Sequence, residues 1–183
     1  VRYVDLNGDG IISDLDRTKI GDPNPDFTFG FNVALDYKGF DFLVQASGVA
    51  GNQLVQSWRN QSNAQPNYSA EILERWTGPG SSNRIPRVTE DNRNWTKFSD
   101  LYIYDGSFLR ISTITLGYDF SNLVKKNYLS KVRVYASVLN AFTFTKYNGM
   151  DPEVGYNEGF SSGVDLGYYP RPRILMVGAN IRF

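Results

Sequence analysis

The 183 residues include no cysteine and no histidine. Lack of cysteine excludes disulfides and thiolate metal sites, and lack of histidine removes the usual general base and the commonest transition-metal ligand. Catalysis would have to rest on carboxylates, lysine, tyrosine or hydroxyls. An excess of either charge is missing too, since 19 Lys and Arg balance 19 Asp and Glu. No overall field draws the chain to nucleic acid or to an anionic membrane surface, and neither partner is expected. The sequence also has no long apolar run. That excludes a transmembrane helix but not a barrel strand, in which only every second residue needs to be apolar. The opening Val1-Arg2-Tyr3-Val4-Asp5 lacks the basic start and apolar segment of a signal peptide. The chain is therefore expected to be a mature start or a piece of something longer.

What is present is alternation. From Ile174 to Phe183, Leu175, Val177, Ala179, Ile181 and Phe183 fall on one side, with Ile174, Met176, Gly178, Asn180 and Arg182 on the other. Period two marks a strand, and this one ends on an aromatic. Phe27 to Tyr37 repeats the pattern, with Phe27, Phe29, Phe31, Val33, Leu35 and Tyr37 against Thr28, Gly30, Asn32, Ala34 and Asp36. After Lys38-Gly39 it resumes with Phe40, Phe42, Val44 and Ala46 on one face through about Ser47. In a two-residue hairpin the flanking residues share a face, so parity is kept. Further strands are expected from Phe108 to Phe120, with a bulge near Ser112 where Leu109 and Ile111 fall out of phase, and from Lys131 to Phe144.

Connections alternate in length. Lys38-Gly39 and Ser121 to Ser130 are short, whereas residues 49–107 and 145–173 are long. Outer-membrane barrels show this asymmetry, with short periplasmic turns and long outer loops, and with aromatics near the ends of their strands. The fold expected is all-β, an antiparallel transmembrane β-barrel segment over residues 27–183, preceded by a loop of residues 1–26. With the carboxyl terminus in the periplasm, counting back five strands puts residues 1–26 and both long loops outside the cell. A soluble β-sandwich would show the same alternation, but with turns of similar length at both ends. Five strands cannot close a barrel, because about eight is the smallest number that fills one.

Asp5-Leu-Asn-Gly-Asp-Gly-Ile-Ile-Ser-Asp-Leu-Asp16 follows the spacing of a twelve-residue calcium loop. Side-chain oxygens of Asp5, Asn7 and Asp9, the carbonyl of Ile11 and the carboxylate of Asp16 are the expected ligands, with Gly10 at the sharp turn and Ser13 acting through water. Asp16 stands where the EF-hand pattern has a bidentate glutamate, a shorter side chain similar to the dockerin-type loop. The bland alternative is an Asx-rich turn that binds nothing. A calcium ion here would be structural, because no helix pair flanks the loop to be opened.

Between the second and third strands lie Trp58, Tyr68, Trp76, Trp95, Tyr102 and Tyr104. Ser69 to Trp76 is expected to form a short helix capped by Ser69, with Ile72, Leu73 and Trp76 on one face. Trp76 is assigned to packing. Trp58 and Trp95 are candidates for contact with a substrate or partner, since Trp dominates interface hot spots. Asp151 with Glu153, or Glu90 with Asp91, could serve as an acid/base pair, but nothing indicates a pocket around them and no enzymatic activity is expected.

The segments together resemble the carboxyl-terminal end of the SusC/RagA family of TonB-dependent outer-membrane transporters of Bacteroidetes. The resemblance rests on Asp5-Leu-Asn-Gly-Asp-Gly10, Ile20-Gly-Asp-Pro-Asn-Pro-Asp-Phe27, Glu74-Arg-Trp-Thr77, Arg84-Ile-Pro-Arg87, Tyr104-Asp-Gly-Ser-Phe-Leu-Arg110 and Ile114-Thr-Leu-Gly-Tyr118. It continues through Asn140, Phe142-Thr-Phe-Thr-Lys-Tyr147, Gly149-Met-Asp-Pro-Glu153 and Tyr169-Pro-Arg-Pro-Arg173. Val138-Leu139 and Ala141 depart from the Gly-Gln and Leu usual around that asparagine. The resemblance implies the last five strands of a barrel of about 22, with an amino-terminal plug that this chain lacks. It also implies a SusD-like surface lipoprotein as partner, energy from TonB through the missing part, and import of oligosaccharides or peptides. Phe183 would carry the signal for barrel assembly. The alternatives are a soluble calcium-stabilised β-sandwich binding module at the cell surface and a secreted carboxylate hydrolase.

Overall fold

The structure is a computed structural model that describes residues 3–57, 69–89, 98–124, 129–153 and 162–183. Eight strands run through the described residues: β1 (Phe27–Tyr37), β2 (Phe40–Ala50), β3 (Gln53–Gln56), β4 (Ile103–Asp105), β5 (Phe108–Asp119), β6 (Lys131–Thr145), β7 (Val164–Asp165) and β8 (Ile174–Arg182). Five of them build one antiparallel sheet in the order β1-β2-β5-β6-β8. These are the five expected strands. Lys38 and Gly39 both take positive φ, 47° and 89°, as a type I′ turn requires, and the turn sets Tyr37 opposite Phe40.

Register confirms the parity and shows where it shifts. The expected bulge lies at Ser112, where pairing jumps from Ile111 to Thr113; the Ser112 hydroxyl donates to the Gln45 carbonyl at 3.1 Å. Opposite it, Asn140 and Ala141 are passed over between Leu139 and Phe142, and Asn140 sits at φ 51°. Two residues are skipped on β6, so the same face is kept beyond them. β2 continues to Ala50, three residues beyond the expected end, because Phe27, Phe29 and Phe31 on β1 pair with it throughout.

The sheet has one apolar face and one polar face. Val33, Leu35, Phe40, Phe42, Leu116, Val134, Leu175, Val177 and Ile181 share the first, and they are exposed: Leu35 by 59%, Leu175 by 76% and Val177 by 82%. Among the described residues no second sheet covers it, which is the opposite of what a sandwich requires. Aromatics gather at both ends of this face. Phe40, Tyr118 and Phe120 meet near the short connections, with ring centroids 4.5 and 4.7 Å apart. Phe27 with Phe29 and Phe142 with Phe144 meet near the long ones, at 5.7 and 6.4 Å. Two aromatic bands flanking an apolar one is the outer surface of a membrane barrel.

The long connections contain a second sheet that the sequence pattern does not reveal. β3 lies between β4 and β7, antiparallel to the first and parallel to the second, and so ties residues of one long connection to residues of the other. Most of the deeply buried side chains lie here and where β5 and β6 enter the connections: Leu54, Asn52 and Asp165 are almost fully enclosed, with Gln56, Ile85, Phe108, Arg110, Tyr147 and Asp151 close behind. Residues 69–76 differ from expectation. They form a 3₁₀ turn, Ala70–Glu74, capped by a 3.4 Å bond from the Glu71 N–H to the Ser69 hydroxyl oxygen. The chain then extends at Arg75, which bridges Ile85 in parallel. Leu73 points outward, 78% exposed, so no apolar helical face packs inward. With only five residues, the turn ends before an α-helical stripe can form.

Candidate functional site

On the polar face of the sheet, cross-strand neighbours are matched in size and charge. Arg133 forks onto Asp41, donating from Nε to Oδ2 at 2.7 Å and from Nη2 to Oδ1. The pair reaches over Gly117 on the intervening strand, where a Cβ would lie 2.5 Å from the Arg133 Nη2. Tyr135 lies over Gly178 in the same way, with the Arg133 guanidinium 4.8 Å from its ring centroid. Thr115 and Ser137 share a hydrogen bond of 2.7 Å. A barrel interior is polar in this manner.

Where the polar face meets the long connections, charges become buried. The Arg110 guanidinium, its side chain 4% exposed, donates to Asp151 Oδ1 at 2.5 Å and lies 2.9 Å from Glu153 Oε2. Glu153 in turn lies 3.2 Å from Arg171. The expected acid/base candidates Asp151 and Glu153 are thus held by two arginines, which binds the 146–173 connection to the sheet. Nearby the Tyr147 hydroxyl donates to Asp165 at 2.5 Å, and Gln56 donates to Asn148 at 2.6 Å. Asn148 passes the chain on to Glu71. Glu90 and Asp91 lie outside the described residues.

Next to this body is a cleft of about 790 Å³ between residues 76–87 and 100–104. Trp76, Asn83, Arg84, Arg87, Asp100 and Tyr104 are among its lining residues. Hydrogen bonds fix its walls: the Trp76 N–H donates to the Ile85 carbonyl at 2.9 Å, and the Ser82 hydroxyl accepts from the N–H groups of Arg84 and Ile85. Arg84 lies 3.6 Å from Glu71 and 5.9 Å from the centre of the Tyr104 ring. Trp76, assigned to packing from sequence, is 37% exposed on the cleft wall. In the sequence, the signal for this site is no more than the density of Trp, Tyr and Arg in one stretch. The two tryptophans that stand out as contact candidates in that stretch, Trp58 and Trp95, lie outside the described residues.

The acidic loop is curled by hydrogen bonds from its own backbone to its carboxylates. Gly8 and Gly10, at φ 75° and 80°, donate their N–H groups to the two oxygens of Asp5 at 2.7 Å each. The Asp9 carboxylate accepts from the Ile11 N–H and from Asn7 Nδ2. Asp16 folds back to accept from the N–H groups of Ser13 and Leu6 at 2.7 and 2.8 Å. Those donors, Ser13 first and Leu6 next, hold its carboxyl below the ordinary carboxylate range. The last position of the motif is therefore bonded back to its second residue, Leu6, and every expected side-chain donor is an oxygen, which suits a hard cation. Among the described residues no group of three acidic side chains converges into a cage. Phe183, the expected assembly residue, is 86% exposed and follows Arg182, which pairs with Lys131 at the short-connection end of the sheet.

No family model matches the chain. Across 99% of its length it is 35% identical to TonB-dependent receptor P3 of Formosa agariphila, and across a similar span 32% identical to TonB-dependent receptor SusC of Bacteroides thetaiotaomicron. The chain is a homologue of the TonB-dependent receptors. It spans about a fifth of these relatives, 19% of P3 and 17% of SusC. Its fold matches that of the RagAB peptide transporter with a TM-score of 0.76 at 24% identity, covering 94% of this chain and 19% of that one. Against the RagAB peptide importer in its closed-closed state the TM-score is 0.75, over 99% of this chain and 20% of the other. The homologue thus folds as an all-β length of barrel wall with elaborated connections. The relatives are named as receptors, and the structural neighbours as a peptide transporter.

Proposed function

We propose that this receptor homologue is part of the wall and outer loops of an outer-membrane transporter that imports oligosaccharides or peptides. The observation that carries it is the uncovered apolar face of the five-stranded sheet, bounded at both ends by aromatics and backed by a polar face. Residues 1–26 and the long connections face outward in this reading, with the carboxyl terminus in the periplasm. A SusD-like lipoprotein covers the outer side, and TonB acts through parts of the protein outside this chain. Phe183 serves barrel assembly.

Single cysteines report the orientation, since these 183 residues have none of their own and the unsubstituted parent protein serves as the blank. Leu15, Tyr169 and Leu123 are exposed by 76%, 89% and 69%; each is replaced by cysteine in the protein as its cells make it. A membrane-impermeant maleimide is expected to label Leu15→Cys and Tyr169→Cys on intact cells, and Leu123→Cys only after the outer membrane is opened. The reverse pattern would invert the orientation. Equal labelling of all three, on protein that is soluble without detergent, would end the barrel reading.

The 5–16 loop is proposed to hold one structural calcium ion through Asp5, Asn7, Asp9, the Ile11 carbonyl and Asp16. Support comes from the all-oxygen donor set and the return of Asp16 to the start of the loop. The ion would supply a fixed point for residues 3–19 at ambient calcium on the outer surface, where even weak affinity suffices. Calorimetric calcium titration is expected to lose its signal in Asp5→Ala and Asp9→Ala; unchanged heats would remove the site.

A further inference from the structure

The cleft between residues 76–87 and 100–104 combines three chemistries on a preformed frame. Trp76 and Tyr104 offer aromatic surface, Arg84 and Arg87 offer guanidinium groups, and Asp100 offers a carboxylate. Arg84 is already engaged, by Glu71 at 3.6 Å and by the Tyr104 ring. Arg87 is exposed and makes no ion pair or hydrogen bond with any described residue. Asp100 does not neutralise it. The cleft thus holds an unspent cation and an unspent carboxylate, next to an indole 37% exposed. Its volume of about 790 Å³ suits two or three sugar rings or a short peptide.

We propose that this cleft binds an acidic oligosaccharide, one bearing a ring carboxylate. This rests on reading the chain as the outer part of an importer, and names the substrate class for this cleft. Arg87 takes the carboxylate through the paired N–H fork that matches it. The C–H face of the sugar ring carries partial positive charge and lies on the negative face of Trp76. Asp100 accepts from ring hydroxyls, with Asn83 beside it as donor and acceptor. A neutral sugar would leave the Arg87 guanidinium without its counter-charge. An acidic peptide would also engage Arg87 through a carboxylate and Asp100 through its N–H groups, but it offers no flat C–H ring face to Trp76.

The experiment uses the intact parent protein in detergent and three probes: tri-galacturonate, its methyl ester and tri-glutamate. By calorimetry tri-galacturonate is expected to bind at least tenfold more tightly than either of the others. Arg87→Ala removes about tenfold from the acid's affinity, one charge-assisted contact, and leaves the ester's unchanged. Arg87→Lys restores part of it, and Asp100→Asn weakens acid and ester alike. Because Arg87 has no partner within the described residues, its variants are expected to fold, which unaltered near-ultraviolet circular dichroism checks. Equal affinity for acid and ester, or an Arg87→Ala variant that binds the acid as before, overturns the proposal. Tighter binding of tri-glutamate replaces the saccharide with a peptide. The cysteine-labelling pattern is independent of these outcomes, so a failed cleft and a failed membrane reading are told apart.

Discussion

Replacing Arg110 by leucine should loosen the 146–173 connection from the sheet. The guanidinium lies 2.5 Å from Asp151 and 2.9 Å from Glu153, with side chains 4%, 8% and 31% exposed. Removing one partner of a buried pair leaves the other charge uncompensated, at a cost of about 3–5 kcal/mol. Two other donors remain to Asp151, the Glu153 N–H at 2.9 Å and the Arg171 N–H at 3.4 Å. They keep part of its solvation, so the low end, about 3 kcal/mol, is expected for Arg110→Leu. Asp151→Leu should cost less, because Glu153 still faces Arg110. The double variant Arg110→Leu/Asp151→Leu removes both buried charges and should recover about 2 kcal/mol relative to the sum of the singles. The loss is local, so the assay is the rate of proteolysis within residues 146–173 of the intact protein, converted to an opening free energy, with heat-modified gel mobility as the check that the barrel is formed. Additive singles, or an Arg110→Leu variant cleaved no faster than the parent, would refute the buried-pair account.

Val177 lies in the middle of β8 on the apolar face; Val177→Arg should destabilise the folded barrel in lipid by about 2–4 kcal/mol, whereas Met176→Arg on the opposite face should cost far less, as measured by urea unfolding in vesicles. Gly178→Ala would set a Cβ 2.5 Å from the Tyr135 ring and should cost about 1–3 kcal/mol, relieved in the double variant with Tyr135→Ala. Asp16 has its carboxyl depressed in the folded loop by the Ser13 and Leu6 N–H groups. Its contribution is therefore complete above the unfolded carboxylate value of about 3.9 and is lost as pH falls through the lower folded one. Amide chemical shifts of Leu6 and Ser13 should stay constant from neutral pH to about that value and change only below it; a midpoint above it would contradict the hydrogen-bonded geometry.

The wall is legible because alternation is written locally. Leu175, Val177, Ala179 and Ile181 announce a strand without knowledge of any partner, and the out-of-phase Leu109 and Ile111 announce a bulge. The irregularity at Asn140 is not visible, since skipping two residues leaves the parity intact. β3, β4 and β7 are hidden for a different reason: strands of four, three and two residues are shorter than any period they could display. The buried network is also out of reach. Arg110 and Asp151 stand 41 positions apart, and a carboxylate two residues from another looks the same whether it is catalytic or ion-paired. Trp76 reads as inward-facing on a helical stripe, and a 3₁₀ turn of five residues provides no such stripe.

The distribution of burial divides the molecule into two kinds of structure. In the wall, side chains on one face meet lipid and those on the other meet the barrel interior, so cohesion comes from the strand ladders and from size matching such as Tyr135 over Gly178. Among the described residues no compact core exists there, and a wall segment with open edges at β1 and β8 depends on neighbouring strands for its stability. The connections instead enclose Leu54, Asp165 and Tyr147 among themselves and carry a sheet of their own. That arrangement lets the connections keep a fixed shape while their exposed residues remain free to differ in chemistry. Arg110 stands at the junction, on a wall strand but bonded to the connection. A substitution in the wall should therefore register across the whole barrel, and one in the connections only near itself. Arg110 is where the two responses should meet.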